Sequence, residues 1–148
     1  MSELKGAAKG RRTQWATQFL AAAELVRRGY TVSFTQGNNT PVADLMVGSP
    51  DSNKLFWVDV KGLSSKNVWL ITPKKTRDDL FYILVLLSPL AENSNVRLAD
   101  RFFILTQNEA NGLEEAYLAD HPKDKGLMRG FNFAASEMHE DLWDKLPR

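Results

Sequence analysis

Two short runs decide how this chain is read: 41-PVADLMV-47 and 54-KLFWVDVKG-62, separated by the polar stretch 48-GSPDSN-53. Both runs are apolar and rich in β-branched residues, and both are bounded by Gly, Pro, Ser, Asp and Asn, as strands joined by a reversal are. Side chains alternate across a strand with period two. Phe56, Val58 and Val60 therefore share one face, and Trp57, Asp59 and Lys61 share the other. In the first run Asp44 points away from the face of Ala43, Leu45 and Val47. A reversal at 48–53 brings Asp44 beside Asp59 and Lys61. Two carboxylates and a lysine then meet at one edge of an otherwise apolar sheet.

Upstream, residues 13–28 have helical periodicity, with Trp15, Phe19, Ala22 and Val26 as the expected buried stripe and Ala23 and Leu25 alongside. Thr13 is the expected cap and Gly29 the stop, with Arg27 and Arg28 where the helix dipole favours cations. Residues 1–11 are expected to be flexible. Tyr30–Thr35 alternates as a strand, and its following loop carries Gln36, Asn38 and Asn39, which either line a cleft or make turns.

Downstream, Val68–Thr72 reads as a short strand hairpinned onto 54–62, and Pro73–Asp79 as a charged connection of at most one helical turn. Leu80–Leu87 is unbroken apolar sequence, expected as a strand buried on both faces. Phe102–Thr106 closes the sheet. A helix over 108–120 stops at His121-Pro122, and a last helix over 134–146 packs through Met138, Leu142 and Trp143, leaving His139 on a polar face. The expected fold is α/β, a single domain over 1–148 with a central mixed sheet, flanking helices and two C-terminal helices.

The chain has 148 residues, enough to bury a core without covalent or metal staples. It contains no cysteine and two histidines, His121 and His139, so thiol chemistry and a zinc cluster are excluded. The longest apolar run is too short to span a bilayer, and 1-MSELKGAAKGRR-12 lacks the apolar core of a secretory signal. A cytoplasmic protein with no membrane partner is expected. The net charge of +1 hides an asymmetry: residues 1–77 hold twelve Lys/Arg and five Asp/Glu (+7), residues 78–148 seven and thirteen (−6). A basic half around an acidic pair suits a polyanion approached through metal ions.

Asp44 and Asp59, with the Val60 carbonyl as a third oxygen, can hold Mg2+ (or Mn2+), which takes one or two carboxylates and fills its shell with water and phosphate. Lys61, two residues along the strand, can position the attacking water or stabilise charge on a scissile phosphate. Trp57 can stack on a base or pack in the core under the first helix. Lys66, Lys74, Lys75 and Arg77 can contact phosphates or form a solvated loop.

Helix, strand, a strand bearing Asp, then a strand bearing Asp-x-Lys resembles the PD-(D/E)XK nuclease superfamily, which includes restriction endonucleases and Holliday-junction resolvases. Asp44 matches its first acidic position, Asp59 the (D/E) and Lys61 the K. The stretch 27-RRGYTVSFTQGNNTPVADLMV-47 is similar to the resolvase-like branch. Over roughly residues 12–106 the resemblance implies a restriction-endonuclease-like αβββαβ core, DNA as partner, magnesium-dependent hydrolysis through Asp44, Asp59 and Lys61, and two-fold action as a homodimer. Gln18 stands where that family's first helix often carries a metal-binding glutamate, which makes it a supporting ligand. Two further readings stay open: a catalytically silent relative that binds nucleic acid or a protein, and an unrelated α/β interaction domain.

Overall fold

The computed structural model describes residues 2–35, 43–72, 74–88, 98–122 and 129–148. Gln36, Asn38, Asn39 and Pro41 lie outside them. A long helix, α1 (Ser2–Arg27), is followed by β1 (Thr31–Phe34), β2 (Leu45–Gly48) and β3 (Leu55–Leu63). Then come β4 (Trp69–Leu70), β5 (Leu80–Leu86), β6 (Arg101–Thr106), α2 (Gln107–Asp120), β7 (Gly130–Phe131) and the short α3 (Phe133–Ser136). The main sheet has the order β1-β2-β3-β5-β6; β3 and β5 are parallel and every other neighbouring pair is antiparallel.

Glycine supplies two of the features that fix α1 against this sheet. Gly29, at φ 95°, ends the helix in the left-handed conformation. Its N–H donates to the Val26 carbonyl and the Tyr30 N–H to that of Leu25, which satisfies the last turn. At the other contact a Cβ on Gly62 of β3 would run into the Thr17 side chain, so helix and strand approach closely only because position 62 is bare.

That approach determines which side of α1 is buried. Thr17, Gln18, Ala21, Ala22 and Leu25 are buried, while Trp15, Phe19 and Val26 are exposed. The buried stripe is therefore rotated from the expected one, and only Ala22 and Leu25 are common to both. Small side chains fill the narrow gap over β3, which has no room for the rings. Nor does the helix begin at Thr13: it runs from Ser2, and no residue of the 2–12 segment is a proline.

Two apolar layers lie on either side of the sheet. Leu25, Phe56, Val58, Val60 and Ile83 form the layer beneath α1, and Trp69, Tyr82, Leu84, Phe103 and Phe133 the one on the far side. All of β5 is buried, as its unbroken apolar sequence predicts.

The remaining differences lie after β3. β4 pairs with β7 in a separate two-stranded sheet rather than folding back on β3. The described residues between β3 and β5 hold no helix, so the crossover helix of an αβββαβ core is absent among them. α2 matches its expected span, begins with a capping box between Thr106 and Glu109, and closes on the His121 N–H. The expected helix over 134–146 is instead α3 followed by single 3-10 turns at Glu137–His139 and Trp143–Lys145. Trp143 packs inward as expected, but Met138 is 77% exposed. His139 is buried, its Nδ1 2.8 Å from Lys145 Nζ, and burial followed by that ammonium holds its pKa below the ordinary value. No helix among the described residues is long and apolar enough to cross a membrane.

Candidate active site

The β2–β3 pairing brings the two acids together. Leu45 lies opposite Val58, so the next step in register sets Asp44 against Asp59. The chain bends at Asp44, and the alternation of the strand does not continue through it: Ala43 joins the far layer while Leu45 and Val47 join the helix-side layer. The Asp44 Oδ2 accepts the Val60 N–H at 2.8 Å. A strand residue presents its N–H and C=O to the same neighbour, so the Val60 carbonyl is directed to the same side, beyond the end of β2. The Thr35 hydroxyl donates to the carbonyls of Ala43 (2.6 Å) and Asp44 (3.0 Å), holding the bend from β1.

Asp59 is 3% exposed, and two lysines serve it. Its Oδ2 lies 3.6 Å from Lys61 Nζ and 3.0 Å from Lys74 Nζ. Burial pushes the Asp59 pKa up, but the Lys61 charge, a hydrogen bond with Asp44 and the Lys74 ammonium outweigh it and hold it below the ordinary carboxylate value. Asp44 goes the other way. Burial, then its hydrogen bond with Asp59 and that neighbour's charge, raise its pKa to about 7, against the pull of the Val60 N–H and Lys61. Two adjacent carboxylates cannot both ionise cheaply, and they titrate as a pair. Below about pH 7 the pair therefore keeps one proton between them.

Gln18, buried on α1, donates its amide N–H to Asp44 Oδ1 at 3.4 Å, so the helix does reach the pair at the expected position. Across the parallel ladder Asp59 is in register with Tyr82, whose buried hydroxyl has no hydrogen-bond partner among the described residues. Burial and then the Asp59 charge raise that phenol's pKa.

The remaining expected contacts divide. Lys74 belongs to the site. Arg77 is committed to Asp79 through two hydrogen bonds of 2.8 and 3.0 Å. Lys66 lies over the Phe133 ring at 5.3 Å, and Lys75 is exposed. Trp57 is half-buried against the far apolar layer, not beneath α1. One contributor escaped the sequence reading. Gln107, 1% exposed, accepts the Arg77 N–H at 2.6 Å and donates to the carbonyls of Lys74 and Lys75 at 3.2 and 3.1 Å. It clamps an irregular segment so that Lys74 meets Asp59. No local pattern marks it, because its partners lie about thirty residues upstream.

A cleft of about 340 Å3 opens beside this group, between Gly10 and Gln14 of α1 and Asn67 and Trp69. Lys61 lines it; Asp44 and Asp59 do not. No cluster of three or more His, Cys, Asp or Glu suited to a metal is present among the described residues. The donor set is two carboxylates with a strand carbonyl, which suits a hard cation that keeps several waters and completes its shell with phosphate. A scan against protein-family models, a search of curated proteins and a search of solved structures each returned no match for this chain.

Proposed function

We propose that this chain is a metal-dependent endonuclease that hydrolyses phosphodiester bonds in DNA, on a restriction-endonuclease-like sheet. The observation that carries this reading is the meeting of Asp44, Asp59 and Lys61 at the open end of the β2–β3 pair, with Asp44 pinned by the Val60 N–H at 2.8 Å. Asp44, Asp59 and the Val60 carbonyl would hold Mg2+ or Mn2+. When bound, such an ion lowers the pKa of a water and screens the phosphate.

The chain's own groups supply the rest. Asp44 releases the shared proton on taking up a cation, so binding tightens as pH rises. Lys61, its side chain one-third exposed, presents a positive charge against the oxygens on which charge builds. Lys61 and, after it, Lys74 hold Asp59 in its ionised form. The basic N-terminal half favours approach of a polyanion.

A second reading, a non-cleaving nucleic-acid binder, has its own support. Gln18 offers Asp44 an amide N–H where a carboxylate would add a ligand, and the two ammonium groups already balance Asp59. A cleavage assay on plasmid, single-stranded and four-way-junction DNA separates the two readings. It is run with magnesium, manganese or chelator, beside Asp59→Ala and Lys61→Ala. Cation-dependent cutting lost in both variants supports the endonuclease. DNA binding without cutting, and with no magnesium-induced rise in Tm, supports the silent binder.

A further inference from the structure

The apolar stripe of α1 that is left outside the core has a partner on β1. Trp15 and Phe19 are 52% and 58% exposed and stack with centroids 5.8 Å apart at 27°. Phe34, 44% exposed, meets Phe19 at 5.5 Å. Three rings from two elements thus make one continuous solvent-facing surface, the kind of patch that marks an interaction site.

Its position and its charge narrow the partner. Phe19 follows Gln18, whose amide reaches Asp44, and Phe34 precedes Thr35, whose hydroxyl holds the bend at Ala43 and Asp44. The aromatic surface therefore lies on the two elements that contact Asp44, with Phe34 in register with Leu45, the residue after it. Arg11 and Arg12 stand four and three residues before Trp15, on its side of the helix. Both are exposed, and neither has an acidic partner among the described residues. Glu24, further along α1, is engaged by Arg27 and Arg28 at 3.5 and 3.6 Å. Open rings beside two exposed cations suit a polyanion that also offers flat apolar faces. Duplex DNA keeps its base faces stacked inside, whereas an unpaired strand exposes them, and base–aromatic stacking is tolerant of sequence.

We propose that Trp15, Phe19 and Phe34 form a stacking platform for unpaired bases, so that the nucleic acid this protein takes has a single-stranded segment beside the Asp44–Asp59 pair. The inference rests on the nucleic-acid part of the proposed function and adds the substrate class. The bases lie on the rings while Arg11 and Arg12 meet the adjoining phosphates.

The test is fluorescence anisotropy on the full chain, in chelator and at low salt. The probes are labelled oligothymidylate of about 20 nucleotides, an abasic strand of equal length, and a matched duplex. Oligothymidylate should bind at least about tenfold tighter than the abasic strand, and Trp15→Ala with Phe19→Ala should weaken it about thirtyfold. The abasic strand should lose less than about threefold, because only backbone contacts remain to it. Phe19→Tyr should retain binding, while Arg11→Ser with Arg12→Ser should weaken both strands alike and flatten the salt dependence. Equal affinity for base-bearing and abasic strands overturns the proposal, as does binding confined to the duplex. So does a wild-type dimer, seen by sedimentation, that the ring substitutions split without changing oligothymidylate affinity. Because nothing is cut in chelator, loss of this inference with metal-dependent duplex cleavage intact leaves the endonuclease standing. Base-dependent binding without cleavage sustains this inference and removes only the catalysis.

Discussion

Lys61 and Lys74 reach the same oxygen of Asp59 from regions built on different principles. Lys61 comes from the middle of β3, two residues past the acid, where strand periodicity alone sets it on the same side, at 3.6 Å. Lys74 comes from a segment without regular structure and sits closer, at 3.0 Å. Its position depends on Gln107, whose side chain makes three hydrogen bonds to the 74–77 backbone. The tighter ion pair thus belongs to the less regular region. A clamped loop can be aimed at a target, whereas a strand residue must stay where the pleat sets it. The contrast also divides the labour: Lys61 lines the cleft and can meet substrate, while Lys74 stands outside the cleft lining and serves Asp59.

The largest expected effect tests that division. Lys61→Ala should lower kcat for DNA cleavage about 100-fold or more, as loss of a charge that acts in the transition state does. Lys74→Met should leave cleavage within about tenfold and tighten magnesium binding by about tenfold in calorimetry, since a competing ammonium is gone. Equal losses in both variants would make the two lysines equivalent and remove the distinction.

Next comes the clamp. Gln107→Leu leaves the Arg77 N–H and two carbonyls without their buried partner, at a cost of about 2 kcal/mol. That corresponds to a Tm lower by about 5 °C. The variant should also reproduce the magnesium affinity of Lys74→Met, which a purely structural role for Gln107 would not do.

A smaller effect concerns pH. The Asp44 pKa is raised to about 7 in the folded protein, above that of an unperturbed aspartate, about 4. Between those values the native state keeps a proton that the unfolded chain has released, so this group's contribution to stability falls as pH rises across the window. Asp44→Asn should therefore raise Tm by about 3 °C at about pH 8 and change it little at about pH 5, as read by thermal melts. Asp59, held below the ordinary value, has the opposite sign: it stabilises above the usual carboxylate range and loses that contribution as pH falls.

The smallest effect comes from α1. Gln18→Glu adds a third acid to the buried pair and should lower the Tm of the metal-free protein by about 2 °C. It should also enlarge the magnesium-induced rise in Tm, measured by scanning fluorimetry, by a similar amount. No change in that rise would separate Gln18 from the proposed cation site.

How much of this was legible in the sequence follows from the range of the forces involved. The alternation Phe56-Trp57-Val58-Asp59-Val60-Lys61 is local, and it correctly joined Asp59 to Lys61 and, through a short reversal, to Asp44. β5 was legible for the same reason. The buried face of α1 was not, because hydrophobicity favoured Trp15 and Phe19 while the actual constraint is the close approach at Gly62, where Thr17 sits. Nor was the pairing of β4 with β7, about sixty residues apart, where two-residue strands carry no pattern of their own. Lys74 was visible only as one cation among several, since what singles it out is Gln107 on a distant helix.

The spans of these contacts also imply an order of assembly. Asp44 and the Val60 N–H are 16 residues apart, whereas Gln107 and the Lys74 carbonyl are 33 apart. Closing the shorter loop costs less entropy, and local pairings generally form sooner. A hairpin that forms first carries Lys61 with it, so Asp59 has one cation beside it before the loop that brings Lys74 has docked. Lys61→Ala should therefore slow refolding more than Lys74→Met, whose cation arrives later.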